Sequence, residues 1–310
     1  MPDPKKYVKS KVENARKLID NSMNKDFLRE LERLFLISRQ IMAGRTRAER
    51  KTKKTGSGLE FSEHREYVPG DDFRTIDWNL YSRLDKLFVR LYEEEEDLPV
   101  YVLFDVSSSM LEGNPVKLMH AFRLSAALSY VALAHLDRVS MMPFSGTIDK
   151  FFLPGRGKAR MFKIFHQIKQ AELGGVTDLE KAARSFVYRK PRLGKVVLVS
   201  DFLTTRGYRE AVNMLRYHKY KVITIQVLSP QEFKPVLNGD IELLDIETGK
   251  LKSITVTKNL LRAYKSELKK FIMEIRSFCQ DRSIPYFNTR SDDKLETLML
   301  DVFRKGGIIK

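Results

Sequence analysis

Asp105, Ser107 and Ser109 stand at alternate positions in Asp-Val-Ser-Ser-Ser, directly after the apolar run Val-Tyr-Val-Leu-Phe. Thr177 follows Gly174-Gly175-Val176, and Asp201 follows Val-Val-Leu-Val-Ser. Carboxylates and hydroxyls are hard oxygen donors. They suit Mg²⁺ above all, with Mn²⁺ or Ca²⁺ as substitutes; Mg²⁺ prefers octahedral ligands at about 2.0–2.1 Å and gives up water reluctantly. No Cys or His lies beside these residues to favour zinc. With few anionic ligands the ion keeps residual positive charge, and a water-occupied position then accepts a carboxylate from a protein partner. The competing reading is structural, because Asp and Ser at a strand–helix junction often cap the helix. Residues 105–109 alone do not separate the two readings. Thr177 after Gly-Gly and Asp201 at a second strand end favour the cation. Asp178 reads as the N-cap of the next helix.

The elements that must bring these residues together are regular. Residues 100–104, 139–144, 196–199 and 222–228 are apolar without alternation, as in strands buried on both faces of a parallel sheet. Helical periods lie between them, over 117–136, 161–168, 179–187 and 209–217. The expected fold class is α/β, a doubly wound, mainly parallel sheet flanked by helices, Rossmann-like in plan. Right-handed crossovers set the C-terminal strand ends along one edge, where ligand sites form. Residues 241–246 and 251–256 flank Glu247-Thr248-Gly249 and read as a β-hairpin. A helix face from Leu260 to Phe278, a strand at 284–287 and a helix at 294–303 complete this part.

Upstream, Leu28, Leu31 and Phe35 predict an amphipathic helix over 26–42, with another over 9–19. Gly44 is expected to end the pattern, and residues 45–54, with six basic residues and one acid, read as a solvated loop. Alternation over 59–67 and 87–91 around Pro69-Gly70-Asp71-Asp72 predicts a small β-rich subdomain. Arg65, Glu66, Asp71, Asp72, Arg74 and Asp77 are read as an ion-pair network pinning it to the α/β domain, with Trp78 anchored by burial. The expected domains are 1–58, N-terminal helices and basic loop; 59–97, the β-rich subdomain; and 98–310, the α/β domain with a hairpin at 241–257.

Composition bounds the function. The chain has 310 residues, 43% hydrophobic, with a formal net charge of +16. That is ample for a sizeable core and favours acidic partners without choosing among them. The first 60 residues hold 16 Lys and Arg against 8 Asp and Glu. One cysteine, Cys279, permits no internal disulfide and reads as a small core residue. No secretory signal or membrane-length apolar run is seen, so a soluble, cytoplasmic protein is expected. The histidines at 64, 120, 135, 166 and 218 show no metal spacing, and neither a P-loop nor a Gly-x-Ser-x-Gly elbow is present.

Asp105, Ser107, Ser109, Thr177 and Asp201 resemble the metal-ion-dependent adhesion site of von Willebrand factor A domains, over residues 100–228. One departure is Val176, where that family commonly has Gly. A second stretch, His-Arg-Glu-Tyr-Val-Pro-Gly-Asp-Asp-Phe-Arg-Thr-Ile-Asp-Trp at 64–78, resembles the signature of the bacterial "domain of unknown function 58" proteins. Glu-Leu-Leu-Asp-Ile-Glu-Thr-Gly at 242–249 is similar to their later hairpin. The resemblance implies a cytoplasmic, non-enzymatic adaptor or chaperone-like partner of a MoxR-type AAA+ ATPase. Its partner, the ATPase or a client, would supply an acidic side chain to the cation. Two alternatives remain open: a basic nucleic-acid-binding protein, for which residues 45–54 lack interleaved aromatics, and a Mg²⁺-dependent hydrolase, for which no general base stands out.

Overall fold

The structure, a computed structural model, describes residues 4–22, 24–52, 61–92, 98–114, 116–204, 207–247 and 249–305. Two compact units divide the chain, one formed by Met1–Met42 with Leu98–Lys310, the other by Ala43–Asp97. Residues 93–97, an uninterrupted acidic run, lie outside the described residues.

Two helices open the chain, α1 (Pro4–Ser22) and α2 (Lys25–Thr52). Asn24 Oδ1 accepts from Phe27 N at 2.8 Å, satisfying a donor at the start of α2. Phe27, Leu31 and Leu34 recur at helical spacing and are buried with Ala15 and Ile19 of α1 in one core. The N-terminal helices therefore share a core with the larger unit, although the sequence set them apart as residues 1–58. The helix also runs past Gly44, and residues 45–52 are helical rather than a loop. A single interior glycine costs only about 1 kcal/mol, and the flanking Ala, Arg, Glu and Lys are good helix formers.

In the smaller unit β1 (Phe61–Glu66) pairs antiparallel with β2 (Phe88–Tyr92). Between them Gly70 takes φ 111°, and Asp71 N donates to Val68 O at 3.0 Å. Asp77 then caps α3 (Trp78–Leu84), a helix the alternation did not predict. Asp77 Oδ2 lies 2.9 Å from both Arg90 Nε and His64 Nε2. The Arg90 and His64 hydrogen bonds hold this carboxyl well below its ordinary range. Arg65 pairs with Asp71 at 2.7 Å. These described pairs of the expected network join residues of the same unit. Trp78, expected to anchor by burial, is 61% exposed, with its ring edge-on to Tyr81. The buried residues at this turn are Ile76 and the Asp77 cap.

In the larger unit five parallel strands follow the order β4–β3–β5–β6–β9. They are β3 (Val100–Asp105), β4 (Val139–Phe144), β5 (Lys195–Ser200), β6 (Lys221–Leu228) and β9 (Tyr286–Arg290). The last begins two residues later than its apolar run. A separate antiparallel hairpin, β7 (Gly239–Leu244) with β8 (Leu251–Val256), lies between β6 and β9 in sequence. The helices are α4 (Lys117–Ala134), α5 (Arg160–Lys169), α6 (Leu179–Tyr188), α7 (Tyr208–Tyr217), α8 (Pro230–Phe233), α9 (Lys258–Gln280) and α10 (Leu295–Lys305). Alternate residues of β3 feed two cores. Val100, Val102 and Phe104 join residues of α1, α2, α4, α5 and α10. Tyr101 and Leu103 join residues of α6, α7 and α9, Cys279 among them. Burial on both faces explains the unbroken apolar runs. Strand order reverses between β3 and β5, so the ligand-accepting crevice of such a sheet falls at their C-terminal ends.

His120 of α4 is buried and lies 3.1 Å from Thr289 Oγ1 of β9. Burial pushes its imidazole down to about 4, with Asp293 opposing and Arg123 assisting. The folded pKa is below the unfolded value of about 6.5, so the unfolded chain binds the extra proton first. Stability from this group is therefore complete above pH ~6.5 and declines as pH falls towards 4, by on the order of 3 kcal/mol. Urea unfolding across this window should show the decline in the wild type and a flatter profile in His120→Gln.

Candidate metal centre

The chain leaves β3 at Asp105, whose carboxylate is fully buried. Asp105 Oδ1 accepts from Ser107 N at 2.9 Å, closing an Asx-type turn. This brings Ser107 Oγ within 3.1 Å of Ser109 Oγ. Asp105 Oδ2 accepts from Ser200 Oγ at 2.7 Å, joining the ends of β3 and β5. Parallel register explains the meeting, since Phe104 pairs with Val199 one residue earlier. Ser200 Oγ also accepts from Phe202 N at 3.0 Å. Phe202 takes φ 60°, a left-handed conformation costing about 1 kcal/mol or more. Its buried ring, packed edge-on to Tyr208, holds the sharp turn that follows Asp201.

The third loop is fixed by its glycines. Gly174 and Gly175 have φ 100° and 92°, which side-chain-bearing residues rarely adopt. Gly174 N donates to Val106 O at 2.7 Å and Ser108 N to Gly175 O at 2.9 Å. Ser108 Oγ accepts from Gly175 N at 3.1 Å. The 174–178 segment is thereby stapled to the 105–109 turn. Asp178 caps α6 through Lys181 N, as read from the sequence. Thr204 Oγ1 donates to Thr177 O at 3.0 Å, tying in the loop after β5. Asp105, Ser107, Ser109, Thr177 and Asp201 thus sit on three loops linked at one end of the sheet. The cap at the start of α4 is Val116, not one of the serines.

Four further residues complete the site, and sequence reading gave none of them a role there. Ser200 orients Asp105. Lys117, at the first position of α4, is almost wholly buried. Its Nζ lies 2.7 Å from Asp201 Oδ2 and 2.6 Å from Glu232 Oε1. Burial pulls the ammonium down, yet the Asp201 and Glu232 charges outweigh it and hold the group above its ordinary value. Glu232 is itself set by a capping box with Ser229 at α8. Glu247, in the turn between β7 and β8, accepts from Thr177 Oγ1 at 3.1 Å and from Thr177 N at 3.3 Å. A lysine opening an otherwise apolar helix was the visible signal for Lys117, because cations at helix N-termini are unfavourable without acids nearby. The Ser229-x-x-Glu232 box was equally legible. Nothing local pointed Glu247 at Thr177.

Charge is unevenly matched here. Lys117 serves Asp201 and Glu232, whereas no cation among the described residues pairs with Asp105 or Glu247. Burial, then the Asp201 charge, raises the Asp105 carboxyl to about 7. Burial raises the Glu247 carboxyl as well. Donors and spacing fit a hard cation. The side-chain groups that meet in the Asp105–Ser109 turn and at Ser200 are oxygens, and octahedral ligands at about 2.1 Å lie roughly 3.0 Å apart along an edge, close to the Ser107–Ser109 hydrogen-bond separation of 3.1 Å. Among the described residues no cluster of three or more His, Cys, Asp or Glu is placed to hold a metal, so hydroxyls would carry much of such a site. Asp201 is more fully engaged, with Leu203 N on Oδ1 and Lys117 on Oδ2. It would act on an ion through water.

Removing one member of a buried ion pair leaves an uncompensated charge, at a cost of about 3–5 kcal/mol. Lys117→Met should therefore lower thermal stability strongly in chelator. Melting curves of the variant and the wild type would detect the loss.

The chain is similar to several known proteins. The uncharacterized proteins Rv1480 of Mycobacterium tuberculosis and Mb1516 of Mycobacterium bovis are 26% identical over 206 residues. The match takes in 65% of this chain and 65% of each relative's own length. Among solved structures, the conserved hypothetical protein BatB from Bacteroides thetaiotaomicron aligns over 68% of this chain and 98% of its own, at 14% identity and a TM-score of 0.43. An aerotolerance-related membrane protein from Bacteroides fragilis aligns over 67% and 98%, at 17% identity and a TM-score of 0.42. Among the described residues of the present chain no helix is long and apolar enough to cross a membrane. The family model described as "Protein of unknown function DUF58" matches residues 63–271, more than half of the chain, and the chain belongs to that family.

Proposed function

We propose that this chain is a divalent-cation-dependent protein-interaction module of the von Willebrand factor A type, acting without catalysis as an adaptor for a MoxR-type AAA+ ATPase or its client. The observation that carries the reading is the meeting of Asp105, Ser107 and Ser109 at the β3–β5 rim, with two hydroxyls at octahedral spacing beside a buried carboxylate that lacks a cation. Mg²⁺ bound there would supply a Lewis-acidic position able to take one more carboxylate.

Each residue has a role that follows from its contacts. Asp105 provides the full negative charge, oriented by Ser200 Oγ and Ser107 N. Ser107 and Ser109 add neutral oxygens, so the ion keeps residual charge for a partner's acid. Thr177 offers a third hydroxyl from the stapled glycine loop. Asp201, held by Lys117, supports the site at longer range. Short hydroxyls fit close around a small ion where bulkier ligands would crowd it.

Isothermal titration with Mg²⁺ should show binding to the wild type and a loss of at least about tenfold in Asp105→Ala, with far-UV circular dichroism unchanged. Capture of a MoxR-type ATPase should require Mg²⁺ and cease with excess chelator; equal capture in both rejects the metal-bridged interaction. The net charge of +16 favours a second reading, nucleic-acid binding. That reading requires affinity to fall with salt at a slope near −0.9 per phosphate neutralised on duplex DNA. Absence of duplex binding at low salt dismisses it.

A further inference from the structure

Glu247 belongs to a hairpin that is mostly exposed along β7 and β8. Two strands alone are marginally stable in water. The turn is nevertheless specifically built. Asp245 Oδ1 accepts from Glu247 N at 3.0 Å, and Gly249 N donates to Asp245 O at 2.7 Å with Gly249 at φ 71°. Asp245 N donates to Lys250 O at 2.8 Å and closes the loop. This arrangement sets the Glu247 carboxylate on Thr177, one of the candidate cation ligands, 70 residues away in sequence.

Three features of the contact exceed what a simple tether requires. Thr177 Oγ1 donates its only proton to Glu247 Oε1, which leaves its lone pairs free for a cation. The 3.1 Å hydrogen-bond separation of these two oxygens, like that of Ser107 and Ser109, is also compatible with an octahedral edge. Glu247 Oε2 takes no hydrogen bond from the described residues, and no lysine or arginine among them pairs with the group.

We infer that Glu247 is the chain's own carboxylate ligand to the cation at Asp105, Ser107, Ser109 and Thr177, so that the β7–β8 hairpin occupies the partner's position and must be displaced by an acidic partner. This rests on the cation reading above and adds the identity of the resident acid. A partner then competes with an intramolecular group at high effective concentration, and only a well-matched acidic surface displaces it. The hairpin becomes the element that sets selectivity for the site.

Mn²⁺ and acetate are the probes. In the full-length wild type, Mn²⁺ should bind with low water-proton relaxivity, and acetate should leave that relaxivity unchanged. Glu247→Gln, which keeps size and the Thr177 hydrogen bond, should bind Mn²⁺ about tenfold more weakly. Its relaxivity should rise as water fills the vacated position, and acetate should then lower it. Hydrogen exchange across residues 239–256 should slow with Mn²⁺ in the wild type and not in the variant. If the variant matches the wild type in affinity, relaxivity and exchange, Glu247 is no ligand and only this inference fails. If the wild type itself binds no Mn²⁺, the cation reading and this inference fall together.

Discussion

A buried carboxylate that pairs with no cation among the described residues constrains the larger unit. Asp105 is fully buried at the end of the central strand β3. Transfer of an ionised carboxylate from water costs several kcal/mol unless hydrogen bonds or an opposite charge compensate. Ser107 N and Ser200 Oγ supply the hydrogen bonds. Those two contacts need β3 and β5 adjacent and in register, which in turn needs both faces of the sheet covered by helices. The cost of placing Asp105 there is carried by the whole α/β core.

The acids around Asp105 are treated in two different ways. Asp201 and Glu232 receive a permanent cation, Lys117, whose position is locked into the first turn of α4. Among the described residues, Asp105 and Glu247 receive only neutral donors. A site with all its charges matched would be inert, and one with none matched would be too costly to fold. Lysine matches one carboxylate pair, whereas burial raises the Asp105 and Glu247 carboxyls above their ordinary range.

The smaller unit solves a different problem with similar chemistry. Asp77 is at once a helix cap and the acceptor for Arg90 and His64, so one carboxylate fastens α3 to both strands. That inward use of charge leaves Phe73 and Trp78 exposed. An aromatic residue beside a dense set of acids and bases is easily read as the buried anchor. Here Trp78 meets Tyr81 edge-on at the surface, and the Asp77 cap is buried instead.

Much of the site was legible because it is written in local order. Unbroken apolar runs fixed which segments become buried strands. The rule that parallel strands end along one edge then brought residues 105, 177 and 201 to the same rim. Elements whose limits depend on weak local preferences were misjudged, as at Gly44, where flanking helix formers outweigh one glycine. The contacts of Lys117 and Glu247 were hidden for another reason. Lys117 reaches residues 84 and 115 positions away, and Glu247 reaches back 70. Sequence by itself determined the donors and the sheet that carries them, because periodicity and strand ends are local properties of the chain. Only tertiary structure decided which acid is neutralised, which is left open and which segment folds back onto it, because a charge's partner depends on distance through space.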